Sequence, residues 1–205
     1  MSKKNALLIE LQYLPAIPWI QLIQQYEKIY LDVKEHYVKG SYRNRCHILG
    51  PNGLQRLSIP LLKGKHQHSA MEDVSISYET HWQKDHWLSL CSAYRRSPYF
   101  EYYEDIFYPF YHTKHEKLFY FNYELLKCIF KILGIQKEIT FTEDYIKPGA
   151  AGFDDYRTMI SPKKENSALP STSAYSQVFS DRFPFHANLS IFDLICNTGN
   201  KFFTK

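Results

Sequence analysis

Nowhere in this chain do about 20 apolar residues run together, the length a membrane-crossing helix needs, so no span is expected. Cysteine is sparse and scattered. Cys46, Cys91, Cys128 and Cys196 form no CxxC or CxxH pair, which argues against a zinc ribbon and suits a reducing compartment. No GxSxG elbow, no RNP-like run and no internal repeat is present. The opening MSKKNALLIELQYLP carries only a short apolar run and no small-residue cleavage site, so a cytoplasmic protein is expected. Charge is nearly balanced at +4, which fits a local patch for an anionic ligand better than the broad stripe of a DNA binder.

Aromatics are abundant, with 17 Tyr and 14 Phe making up most of a 17% aromatic share. They supply large buried area with phenol tips that need partners, and they also suit a stacking surface for sugar or base. At 205 residues the chain is long enough for one domain with a proper core.

Hydrophobic patterning predicts an α/β fold. Ala6–Leu11 reads as a buried strand, and Pro15 and Pro18 open a helix carrying Ile20, Ile23 and Tyr26. Lys28–Val33 reads as a second strand, giving a βαβ unit with parallel strands and a right-handed crossover. Arg45–Leu49 and Leu54–Leu61 flank GPNG, a strong hairpin signal, and Val74–Ile76 offers a short further strand. Three aromatic-rich helices follow, with capping boxes at Thr80/Gln83 and Thr113/Glu116 and an N-cap at Ser97 before Pro98. The third stops at Gly134, and Lys137–Thr142 returns as a strand. The expected architecture is a small mixed sheet, opening with the βαβ unit and the hairpin, under an aromatic-rich helical layer. Residues 145–174 turn polar and Pro/Gly-rich and read as a mobile insertion or a lid. A last helix begins at Asn188 or Ser190 and ends near Gly199.

Three stretches carry a family resemblance: LQYLPAIPWIQLI with Asp32 and YRNRCHI, then LSIPLLKG with AYRRSPYF, and finally YSQVFSDRFPFHANLSIFDLICNTG. In order and spacing the chain resembles the WbqC-like family, apart from Tyr13 where a Pro usually follows the Gln. Members occur in O-antigen and other surface-polysaccharide gene clusters. The resemblance therefore implies a role in building or modifying a sugar precursor, and it carries no catalytic assignment.

Candidate residues follow from placement and chemistry. Gln12 precedes the first helix, whose free N–H groups would make an anion site, and could orient a phosphate or amide; it could equally bond backbone in a Pro-rich loop. The βαβ start is loosely like nucleotidyltransferases of the class-I-synthetase type, but no HxGH-like signature is present. Lys39, Arg43, Asn44 and Arg45 form a basic cluster. In an extended segment Arg43 and Arg45 point to one side, a pairing suited to the diphosphate of a nucleotide-sugar or an acyl-CoA. Asp32 at a strand end and Asp193 in the last helix are candidate general bases, though a carboxylate beside Arg is more often a structural pair. Gln177 and Asn188 offer amides for sugar hydroxyls and are expected to join Asp193 in completing the site opened by Gln12. HxH at His66–His68 lacks a third ligand at telling spacing, so no metal is expected, and no cofactor is called for. His86 reads as a core histidine, and alternation turns Cys46 toward the core.

The expected function is a transferase acting on an activated, phosphate-bearing sugar precursor, with a non-catalytic binding or assembly protein as the alternative. The expected partner is an anionic small molecule, not a nucleic acid. The oligomeric state is left open.

Overall fold

A computed structural model describes residues 6–62, 69–162 and 169–202. Strand β1 (Ala6–Ile9) leads through helix α1 (Ile17–Gln24) to β2 (Lys28–Leu31), which pairs with β1 in parallel, Leu7 opposite Ile29. The hairpin follows as β3 (Arg45–Gly50) and β4 (Gly53–Ser58), with Cys46 opposite Leu57 and His47 opposite Arg56. Helices α2 (Trp82–Tyr94), α3 (Phe100–His112) and α4 (Leu118–Leu133) come next, then β5 (Glu138–Phe141), β6 (Phe153–Asp155) and α5 (Ile191–Thr198). Parallel and antiparallel strands segregate into two sheets. One has four parallel strands in the order β5-β2-β1-β6, and the other is the hairpin alone. Val74–Ile76 contributes only isolated bridges, Ile76 to Leu61 and Ser75 to Lys117.

β1 lies in the interior of the parallel sheet, and Leu7, Leu8 and Ile9 are fully buried, as its unbroken apolar run requires. Trp19 of α1 is also buried and ties its indole N–H to the carbonyl of Glu10 at 2.9 Å. Phe192 of α5 meets Phe107 of α3 edge-on at 4.8 Å and Tyr94 of α2 at 5.4 Å, joining the last helix to the aromatic layer. His86 is a core residue. Its Nδ1 lies 3.0 Å from the Tyr13 hydroxyl, and burial lowers it to about 4. Cys46 faces the core, where burial pushes its thiol up.

Several boundaries differ from expectation. The side-chain caps at Thr80, Ser97 and Thr113 are not used, because α2, α3 and α4 start from His81, Tyr99 and Lys117 without a side-chain cap bond. Gln83 instead donates to the carbonyls of Phe110 and Thr113, fastening α2 to the end of α3. Residues 145–174 contain β6, which pairs with β1 from Ala6–Phe153 to Leu8–Asp155, so this stretch is in part sheet and not purely a loop. Two aspartates in three residues hide a strand from any apolar pattern. Ser190 caps α5 by accepting from the Phe192 amide, whereas Asn188 holds a left-handed φ of 60°, which asparagine tolerates better than most residues. Ser190→Ala is expected to cost about 1 kcal/mol in urea unfolding, and more if its bond to the Leu14 carbonyl counts separately.

Candidate functional site

All four parallel strands finish on one side, where buried polar side chains collect. β1 runs on into Glu10 and Gln12, β2 into Asp32 and Glu35, β5 into Thr142, and β6 ends at Asp155 just before Arg157. Numbered by appearance within the sheet, the strands lie third, second, first, fourth, so the order reverses between β1 and β6. Open parallel sheets bind ligands at the carboxyl ends beside such a reversal.

Asp32 organises the centre of this cluster. Its Oδ1 accepts from the amides of Lys34 at 3.0 Å and Glu35 at 2.9 Å and from the Thr142 hydroxyl at 2.8 Å. Its Oδ2 accepts from Arg157, which also grips Asp155 and donates to the carbonyl of Ile146 at 2.8 Å. Glu35 is bidentate to the fully buried Arg43, at 2.7 Å from Nε. Glu10 accepts from Gln12 at 2.8 Å and from the Thr158 amide at 3.1 Å. Thr158 itself has φ of 67°, a strained value for a β-branched residue and one of the kind that gathers at functional sites. Beside the cluster lies a cavity of about 480 Å³ whose lining includes Glu35, His36, Tyr145, Asp155, Arg157 and Thr158.

Burial pushes Glu35 up to about 7, with Arg43 pulling the other way, and burial likewise raises Glu10. The folded chain thus holds the Glu35 proton more tightly than the unfolded chain. Its contribution to stability is complete below the ordinary value of 4.5 and is lost as pH rises through about 7. Urea unfolding from pH 5 to 8 is expected to show the wild type losing stability relative to Glu35→Gln. Parallel curves would place that proton elsewhere.

A larger cleft of about 700 Å³ opens beside the start of α1 and the hairpin. Tyr42, His47, Ser161, Thr172, His186 and Asn188 contribute to its wall. The register puts Arg45 and His47 of β3 and Arg56 and Ser58 of β4 on one face. Neither arginine pairs with a carboxylate among the described residues, and the buried Nε of Arg45 has no hydrogen-bond partner there. Burial and the two guanidinium groups lower His47, keeping it neutral at pH 7. Its Nδ1 lies 3.4 Å from the Tyr42 hydroxyl. One short stretch of chain serves both cavities: Thr158 lines the smaller and Ile160 the larger, and Gln12 reaches the Ile160 carbonyl at 3.5 Å.

The residues expected to form one site are thus divided. Gln12, Asp32 and Arg43 meet at the strand ends. Arg43 and Arg45 do not alternate as in a strand, because Tyr42–Asn44 is a 3-10 turn that sends Arg43 inward to Glu35. Asn44 is buried and donates to the Ile59 carbonyl, and Lys39 is exposed. Gln177 and Asp193 form a separate buried network. Asp193 accepts from the Tyr175 hydroxyl at 2.6 Å, and Gln177 brackets the backbone of His186. Asn188 alone of the carboxyl-terminal trio lines the larger cleft. Asp32 and Asp193 line neither cavity. The start of α1 offers no anion site: the Ala16 amide goes to Gln12, that of Ile17 to the Leu189 carbonyl, and those of Trp19 and Ile20 to Ala16, while Pro18 has none. Among the described residues no group of three His, Cys, Asp or Glu is placed to hold a metal ion. The HxH pair at His66–His68 lies outside the described residues.

Sequence reasoning missed Glu10, Glu35, His47, Arg56, Asp155 and Arg157 as site residues. Glu10 had a signal, as a lone acid inside an apolar run immediately after a buried strand.

Among curated proteins, an uncharacterized protein of Mycobacterium tuberculosis is similar, 28% identical over 144 residues that cover 69% of this chain and 62% of that protein. The chain thus spans less than two thirds of that relative's length. No solved structure matches. The profile described as WbqC-like protein family matches residues 12–162, a span that takes in the hairpin face and the strand-end cluster apart from Glu10. On that match, the chain belongs to the WbqC-like protein family.

Proposed function

We propose that this protein is a cytoplasmic transferase acting on an activated, phosphate-bearing sugar precursor in bacterial surface-polysaccharide synthesis. The observation that carries the reading is the hairpin face, where Arg45 and Arg56 flank His47, which lines the 700 Å³ cleft, and where neither arginine pairs with a carboxylate among the described residues. Guanidinium groups bind phosphate oxygens in pairs and keep their charge in any local field. The cleft's hydroxyls and the Asn188 amide offer both donors and acceptors to sugar hydroxyls. A neutral His47 is in the form a general base needs. Among the described residues no helix is long and apolar enough to cross a membrane.

Isothermal titration with uridine diphosphate glucose and with acetyl-CoA tests the reading. One of the two is expected to bind. Arg45→Ala and Arg56→Ala should each weaken it by about 1.5–3 kcal/mol, roughly 10- to 100-fold, with nearly unchanged unfolding midpoints. Affinity untouched by both substitutions, or no binding of either ligand, overturns the assignment. Tight binding with no transfer to any acceptor leaves the non-catalytic alternative.

A further inference from the structure

The smaller cavity differs from the larger in charge. Its cluster holds four carboxyl groups, Glu10, Asp32, Glu35 and Asp155, against two guanidinium groups, Arg43 and Arg157. Each arginine of the cluster is already ion-paired, Arg43 with Glu35 and Arg157 with both aspartates. The carboxylates at the cavity wall, Glu35 and Asp155, retain accepting capacity beyond their arginine bonds. Tyr145 supplies an aromatic face there, stacked on His36 with ring centres 5.7 Å apart and with Arg157 5.9 Å from its centre. Arg43 Nη1, buried behind Glu35, has no hydrogen-bond partner among the described residues.

A metal ion is a poor match. It needs several ligands converging on one point, and no such group occurs among the described residues. Here Arg157 stands between Asp32 and Asp155. An alkylammonium asks less, because it donates up to three hydrogen bonds and rests against an aromatic face. The volume, about 480 Å³, accommodates a sugar ring.

We propose that this strand-end cavity binds a primary ammonium group on a sugar-sized ligand, held between Glu35 and Asp155 against Tyr145. The assignment extends the transferase reading by giving the acceptor a chemical class, an amino sugar, but its binding can be measured with no donor present. The two ideas therefore fail separately.

Chemical-shift titration at constant ionic strength compares D-glucosamine, N-acetyl-D-glucosamine and D-glucose, which share a ring and differ at one substituent. Glucosamine is expected to bind at least tenfold tighter than the other two, with shifts at residues 145–158. Glu35→Gln should weaken it tenfold or more. Tyr145→Ala, at a half-exposed side chain whose loss threatens the fold little, should weaken it several-fold. Equal binding of the three sugars, glucosamine binding indifferent to both Glu35→Gln and Tyr145→Ala, or displacement of glucosamine by millimolar Mg²⁺ would each overturn the proposal.

Discussion

Arg43→Met is expected to lower the unfolding free energy by about 3–5 kcal/mol at pH 8, because it strands Glu35 in the interior without its counter-charge. The side chain of Arg43 is fully buried and that of Glu35 nearly so, so water cannot replace the lost bonds. The loss should shrink at pH 5, where Glu35, raised to about 7, already carries a proton. Replacing both members with apolar residues, Arg43→Met with Glu35→Leu, should recover much of the stability. Urea unfolding at the two pH values measures all of this. A loss below about 1 kcal/mol at pH 8, with ligand binding impaired instead, would return Arg43 to the anion-binding role that its neighbourhood in the sequence suggests.

Arg157→Met should be comparably severe, about 3–5 kcal/mol, but with a local signature. Arg157 is the common partner of Asp32 and Asp155 and the donor to the Ile146 carbonyl, so it fastens the end of β2, the end of β6 and the segment between β5 and β6. Its removal takes the guanidinium donor from Asp32 Oδ2, Asp155 Oδ2 and the Ile146 carbonyl, while Asp32 Oδ1 keeps its bonds to Lys34, Glu35 and Thr142 and Asp155 Oδ1 keeps the residue 157 amide. Amide exchange is expected to quicken most across residues 145–158 while α2, α3 and α4 stay protected. A uniform rise across the molecule would mean that the cluster supports the whole fold and not one corner of it.

What could be read in the sequence follows from how locally each feature is determined. β1, α1 and β2 were legible because a buried parallel strand is a continuous apolar run, and proline near a helix start is a local signal. The hairpin was legible from Pro51, Asn52 and Gly53, whose turn requires positive φ at Gly53. Asp32 and Gln12 were correctly placed at strand ends, because strand ends follow once the strands do. Arg43 was not, since a three-residue 3-10 turn breaks the alternation on which its orientation was argued. Arg157 could not be found at all. Its partner Asp32 is distant in the chain, and it follows a strand too short and too acidic to leave a pattern. The Gln177–Asp193 pairing was seen as an association, but its purpose was not. The buried network packs the carboxyl-terminal segment onto α5 instead of reaching either cavity.

The start of α1 has a consequence for how the chain is made. Its Ile17 amide rests on the Leu189 carbonyl, Ile191 donates back to Pro15, and Ser190 bonds Leu14 through its hydroxyl. During synthesis the Ile17 amide therefore stays without this partner until residue 189 has left the ribosome. β1 likewise has only one neighbour until β6 is made. Pairings this far apart in the chain form late and slowly. A nascent chain stalled before residue 189 would expose Pro15 and the edge of the hairpin, the surfaces on which a chaperone or a misplaced strand would first act.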